Sequence, residues 1–282
     1  MRTFFRSIIF YSVASVISLI FFSLLIQFKA EKLGPQSLWK FPLNIGLTEM
    51  RHVDIHVAGY LYYKVRILCW IMTNTKNYDK RAVHIRNTWG KRCNKLLLIG
   101  STKHDDLSNI DLQVGEGRDQ LWHKTREAFT YIYKHHINEA DWFLKADDDT
   151  YVIMENLRYL LYPYHPQIPI YFGCKFKIPF TFFPPYMSGG GGYVLSKEAL
   201  KRLVEDGLPT FEAKSSTEDL EMGNCLHMAN VTAGDSRDDD GQSRFFPDTP
   251  KGVLQPNAKE FWTWTYKYYK AEQVCKKIRR LF

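Results

Sequence analysis

The longest apolar run of the chain comes first. Ile8 to Ile26 is 19 residues with no charge, Pro or Gly. As a helix rising 1.5 Å per residue it would span about 28 Å, close to the hydrocarbon thickness of a bilayer. Arg2 and Arg6 precede it, and Lys29 and Lys32 follow. The apolar core of a secretory signal is shorter, about 7–15 residues, and leads into a small-residue cleavage site. Gln27-Phe28-Lys29-Ala30 makes a poor one. The run is expected to be a membrane anchor rather than a cleaved signal. Basic residues nearly balance across it, so the positive-inside rule leaves orientation open.

Residues 27–62 have mixed polarity, with Pro35 and Pro42, and read as a stem. Beyond them two rhythms alternate. Arg66 to Thr73 (RILCWIMT) is a nearly continuous apolar run closed by Asn74, Thr75 and Asn77, the pattern of a buried parallel strand. Ala82, Val83, Ile85 and Trp89 fall at a helical period. Lys95 to Ile99 (KLLLI) predicts a second strand, Leu121 to Ile137 a long helix, and Trp142 to Lys145 a third strand. Val152 to Leu161 is again helical. Ile170-Tyr171-Phe172 and Tyr193-Val194-Leu195 are short strands, and a helix from Ser196 to Glu205 follows the second, with Ser196 as N-cap. Strands alternating with helices predict an α/β sheet covered on both faces. In such sheets ligands bind at the carboxyl ends of strands.

Composition narrows the class. Hydrophobic residues are 45 % of the chain, enough for a core and against wholesale disorder. Aromatics at 15 % suit buried anchors or a sugar-stacking surface. The net charge is +8, but Lys and Arg are scattered with no basic helix or zinc module, which argues against nucleic acid. Attraction of an anionic nucleotide or membrane accounts for the excess equally well. The five cysteines, Cys69, Cys93, Cys174, Cys225 and Cys275, include no CxxC pair, which argues against a zinc ribbon. Asn230-Val231-Thr232 is a sequon, consistent with a lumenal location.

Asp147, Asp148 and Asp149 follow the third strand directly. In an extended segment Asp147 and Asp149 would share a face while Asp148 turns away. Two carboxylates that close repel unless a cation lies between them. Oxygen ligands select hard ions such as Mg²⁺ or Mn²⁺, which neutralise a departing diphosphate. The triplet alone fits equally well as a helix cap, with Asp149 leading into Tyr151. A second run, Asp238-Asp239-Asp240-Gly241, has polar flanks and reads as a solvated turn. Gly189 to Gly192 fits either a backbone that approaches a substrate closely or a flexible loop.

WFLKADDDTYV, preceded by EGRDQLWHKT and followed by YMSGGGGYVLSKEALKR, resembles the core 1 β1,3-galactosyltransferases, within the β1,3-glycosyltransferases of GT-A fold. The resemblance runs from Arg66 to Tyr269 and includes RILCWIMT, HIRNTWGKRCNK, SSTEDLEMGNC, AGDSRD and FWTWTYKYY. It implies a Rossmann-like, nucleotide-sugar-binding sheet flanked by helices and a type II Golgi membrane protein with a lumenal catalytic domain. The expected organisation is a cytoplasmic tail at 1–7, an anchor at 8–26, a stem at 27–62, a catalytic domain at 63–270 and a basic tail at 271–282.

The activity it implies is transfer of galactose, with inversion, from UDP-galactose to the 3-hydroxyl of GalNAc on Ser or Thr of a glycoprotein, using Mn²⁺ or Mg²⁺. By position, Asp147 and Asp149 resemble the metal-binding pair, and Asp147 also falls at the nucleotide. Glu116, Gly117, Arg118 and Lys124 fall in the segment lining the nucleotide site. Asp219 matches the general base, Trp262 lies near the acceptor, and Cys69 with Cys93 matches a family disulfide. Taken alone, Asp219 reads as a helix-start carboxylate, Trp262 as strand packing, and Arg118 and Lys124 as solvated helix charges. A homodimer is compatible with the family. Past Tyr269 the match stops, and no histidine follows His227, so the family's third metal ligand has no counterpart. That leaves a second reading open: an impaired family member acting as a folding partner or a sugar-binding protein. The family cysteine before the Glu218-Asp219 segment is also absent.

Overall fold

The computed structural model describes residues 55–103, 109–249 and 268–269. The anchor at 8–26, most of the stem, Trp262 and the tail at 271–282 lie outside the described residues. Among the described residues no helix is long and apolar enough to cross a membrane.

The chain enters through helix α1, Ile55–Lys64, and continues into β1, Ile67–Met72. Residues 55–62, read as stem from the sequence, are part of this helix, and Leu61 is buried in the core. A π-helical turn, Tyr78–Ala82, and helix α2, Val83–Asn87, lead to β2, Lys95–Gly100. Then come β3, Ile110–Asp111, helix α3, Leu121–His136, β4, Trp142–Asp147, and helix α4, Met154–Leu161. The last part holds β5, Ile170–Phe176, β6, Tyr186–Ser196, helix α5, Lys197–Arg202, helix α6, Glu218–Met228, and β7, Thr232–Ala233.

The strands form one mixed sheet in the order β3-β2-β1-β4-β6-β5-β7. The β3-β2-β1-β4 side is parallel, and β6 runs antiparallel to both β4 and β5. A mostly parallel seven-stranded sheet flanked by helices fits the GT-A arrangement. Strand alternation divides the core. Leu68 and Trp70 of β1 and Phe143 of β4 face a cluster with α3 and α6, and Ile67, Cys69, Ile71, Trp142 and Leu144 face a cluster with α1 and α4. Cys69 and Cys93 form a disulfide tying β1 to the start of β2.

The glycine tract is neither a loop nor a short strand end. Gly189 to Gly192 lie inside β6, which runs 11 residues instead of the three expected. Strand β5 is likewise extended to Phe176. Small residues here admit neighbours: a Cβ at Gly190 would lie 3.1 Å from the carbonyl oxygen of Pro247. Gly192 has φ +70°, which favours glycine.

Helix α6 packs on the same strand through Gly223. A Cβ there would collide with the Tyr186 side chain and stand 3.1 Å from its Cα. Gly223→Ala should therefore lower stability by about 1–3 kcal/mol through overpacking, against roughly 1 kcal/mol of gained helix propensity. A lower urea midpoint at unchanged slope is the expected reading. A midpoint equal to that of the parent chain would show that α6 can shift away freely.

Candidate active site

The acidic triplet sits where β4 ends. Asp147 is the last residue of the strand, and the chain turns at once, with the Thr150 amide donating to the Asp147 carbonyl at 3.1 Å. Asp147 and Asp149 both line a cleft of about 1070 Å³ between α4, the glycine strand and segment 238–249. Asp148 turns the other way and is buried. It accepts from Thr73 Oγ1 at 2.9 Å, Asn77 Nδ2 at 3.0 Å and Arg81 Nη1 at 3.0 Å. The same Arg81 nitrogen donates to Asp149 Oδ2 at 3.0 Å. Burial of Asp148 with these donors fixes the turn, and Asp149 is left 64 % exposed in its side chain.

Lys145, one turn of the pleat before Asp147, shares its face of the sheet. Its side chain is 3 % exposed, and Nζ lies 2.7 Å from Asp147 Oδ1 and 3.7 Å from Glu218 Oε2. It stands over the ring of Tyr193, its antiparallel partner in β6, at 5.7 Å from the centroid. Tyr193 donates its hydroxyl to Glu218 Oε1 at 2.7 Å. Burial alone would push the Lys145 ammonium down, but the charges of Asp147 and Glu218 outweigh it and hold the pKa above its ordinary value. Burial pushes the Glu218 carboxyl up, with Lys145 opposing and Asp219 reinforcing.

Asp219 follows Glu218 in the first turn of α6. Its Oδ2 accepts from the Gly189 amide at 2.9 Å and its Oδ1 from the Leu220 amide at 2.9 Å. Gly189 thus meets both acids: a Cβ there would lie 3.3 Å from Glu218 Oε2 and 3.5 Å from Lys145 Nζ. Asp147 and the Glu218-Asp219 pair are joined through one buried ammonium and one glycine of β6.

Lys124, on α3, is buried and reaches toward the same corner. Its Nζ lies 3.4 Å from the Thr73 carbonyl and 3.8 Å from Glu116 Oε2. Burial lowers its pKa, and Glu116 partly restores it. Gly117 has φ +114°, a conformation favouring glycine, and opens the turn that carries Arg118. Glu116, Gly117 and Arg118 are exposed. None of Glu116, Arg118, Lys124 and Asp219 lines the large cleft itself. Lys124 meets the acidic turn through Thr73, and Asp219 lies beside it across Lys145.

Sequence reasoning passed over Lys145, Thr73, Arg81 and Tyr151. The first three were hidden in segments read only for strand or helix period. Tyr151 and Ile153 expose 70 % and 52 % of their surface, and with Phe246 they give the cleft an apolar wall beside its acids. Asp238, in the second acidic run, also lines this cleft, although the run does close as a turn at Gly241 with φ +76°. Among the described residues no group of three or more His, Cys, Asp or Glu is gathered about one point.

A Fringe-like family model matches residues 64–236, which holds β1 to β7, the acidic triplet and the Glu218-Asp219 pair. The chain belongs to the Fringe-like family. This Fringe-like chain is 48 % identical over 221 residues to glycoprotein-N-acetylgalactosamine 3-beta-galactosyltransferase 1 of Xenopus laevis, covering 77 % of itself and 61 % of that protein. That match supports the resemblance to the core 1 β1,3-galactosyltransferases read from the motifs. It is also 24 % identical over 181 residues to a mouse beta-1,3-glucosyltransferase and 24 % identical over 179 residues to human chondroitin sulfate synthase 3. The chain spans 61 % of the length of the Xenopus laevis protein and 37 % and 20 % of the other two.

Proposed function

We propose that this chain is an inverting glycosyltransferase that moves galactose from UDP-galactose to the 3-hydroxyl of GalNAc on Ser or Thr of glycoproteins. The observation that carries the reading is that Asp147 and Asp149 line one cleft, with Asp147 linked through Lys145 to Glu218, whose neighbour Asp219 is held by the Gly189 amide. The likeness to the Xenopus laevis galactosyltransferase supports the choice of donor and acceptor.

The donor set is oxygen only, two carboxylates on an open cleft, which suits a hard ion that keeps waters and takes phosphate oxygens. Asp147 and Asp149 would hold Mn²⁺ or Mg²⁺, and the ion would supply charge neutralisation to the departing diphosphate. Asp219 would accept the proton of the acceptor hydroxyl, a task suited to a carboxylate placed opposite the leaving group. Its two amide donors fix the orientation of the carboxyl. Glu116, Arg118 and Lys124 would face the nucleotide, and Trp262 the acceptor. Tyr151 and Phe246 offer faces on which a sugar ring can stack. The run at 8–26 would anchor the chain in the Golgi membrane as a type II protein. The exposed Asn230 of the sequon, at φ 56°, is consistent with a lumenal catalytic domain.

Release of UDP from UDP-galactose, with a GalNAc-Ser/Thr peptide as acceptor, tests this reading. UDP should appear only with peptide present, and chelating the metal with EDTA should reduce the rate to background. Asp147→Asn should abolish turnover, while Asp239→Asn, in the turn at 238–241, should leave it within about twofold of the parent chain. Tight UDP binding without any transfer would instead favour the sugar-binding reading.

A further inference from the structure

Three cations surround the acidic turn, and they differ in access. Lys145 and Lys124 are buried, at 3 % and 4 % side-chain exposure, whereas Arg81 is 45 % exposed. Arg81 belongs to the π-helical turn Tyr78–Ala82, a local geometry that recurs at functional sites. One of its nitrogens is shared equally, 3.0 Å from Asp148 Oδ1 and 3.0 Å from Asp149 Oδ2. Its two partners are held very differently. Asp148 keeps Thr73 and Asn77 if Arg81 leaves, so the turn stays fixed. Asp149 is an exposed carboxylate on the cleft wall, and an ion pair this open to water is weak.

We propose that Arg81 is a latch on the acidic turn: its guanidinium covers Asp149 while no divalent cation is bound, and moves to the diphosphate when cation and nucleotide arrive. This rests on the reading of Asp147 and Asp149 as a cation site. A divalent ion and the guanidinium would compete for the Asp149 carboxylate. Once displaced, a planar fork of N–H donors suits phosphate oxygens better than an ammonium does. The exchange keeps the number of positive charges at the turn from rising by the full charge of the incoming ion.

Mn²⁺ titration of the full-length protein in detergent, followed by the electron paramagnetic resonance signal of free Mn²⁺, tests the latch without any turnover. Without UDP, Arg81→Gln should bind Mn²⁺ roughly three- to fivefold more tightly, since an exposed competitor has gone. With Mn²⁺ saturating, the same variant should bind UDP about tenfold more weakly, having lost a charge-assisted contact. Arg81→Lys should fall between, keeping charge but not the fork. Lys80→Gln removes the same charge one residue away and should leave both constants within about twofold. Unchanged Mn²⁺ affinity in Arg81→Gln overturns the latch, as does unchanged UDP affinity. Matching shifts in Lys80→Gln also overturn it, because bulk charge would then explain the result. If the parent chain binds no Mn²⁺, or Asp149→Asn binds it equally well, the cation site itself is wrong and the latch falls with it.

Discussion

Asp219→Asn is expected to slow galactose transfer by roughly 10²–10⁴-fold, the usual contribution of a positioned general base. Binding of UDP and of Mn²⁺ should change by less than about threefold, because the loss would fall on the transition state alone. The side chain is held at both oxygens, by Gly189 and Leu220 amides at 2.9 Å each. Asparagine keeps the shape and one acceptor, so the first turn of α6 should stay in place. Steady-state transfer rates beside a UDP titration separate the two effects. Turnover within tenfold of the parent chain would remove Asp219 from the base role and leave it as a helix-start carboxylate.

Lys145→Met is the second large effect, and it reaches the fold as well as the chemistry. Methionine matches the length of the stem but leaves Asp147 and Glu218 without the ammonium at 2.7 and 3.7 Å. Removing one partner from a buried ion pair destabilises by about 3–5 kcal/mol. In the parent chain the raised pKa of Lys145 makes its contribution complete through neutral pH and lost only in strong alkali. In the variant Glu218 loses the cation that was holding its pKa down, so the carboxyl rises further. A carboxyl that binds its proton more tightly folded than unfolded takes up protons on folding, and stability then falls as pH rises. The deficit of Lys145→Met should accordingly shrink as the solution is acidified from pH 7 through the carboxylate range. Denaturant midpoints at several pH values measure it. A deficit that is constant with pH would mean that lost packing, not the uncovered carboxylates, is responsible. Lys145→Met with Glu218→Gln should recover part of the stability at neutral pH, since the buried charge is then gone.

Strands β1, β2 and β4 were plain from residue order because they are largely buried, whereas the two-residue β3 was not read. RILCWIMT and KLLLI carry no alternation to confuse with a helix. The antiparallel strand β6 was harder. Four glycines in β6 depress strand propensity, so only Tyr193 to Leu195 could be read, although the strand begins at Tyr186. Helix α6 carries charged residues through its first turn and little periodicity, and only its acids drew notice. Helix α1 lay inside a segment of mixed polarity that looked like linker. Of the site, the acidic triplet was legible because it ends an apolar strand. Lys145 was not, since a lysine in a short apolar run resembles a strand end near water. Its meaning depends on Tyr193 and Glu218, which lie 48 and 73 positions further on and meet it only through pairing in the sheet.

Strand β4 lies between β1, which precedes it by 75 positions at Ile67↔Trp142, and β6, which follows it, with α6 contributing Glu218 from still further along. Closing such distant loops is slow, and contacts that need it form late. During biosynthesis Lys145 must therefore wait for more than seventy later residues to emerge before it meets Glu218. A ribosome stalled before Glu218 would hold a nascent chain with a sheet begun and the buried Lys145 still without its second carboxylate. Such an intermediate is what a folding helper would encounter.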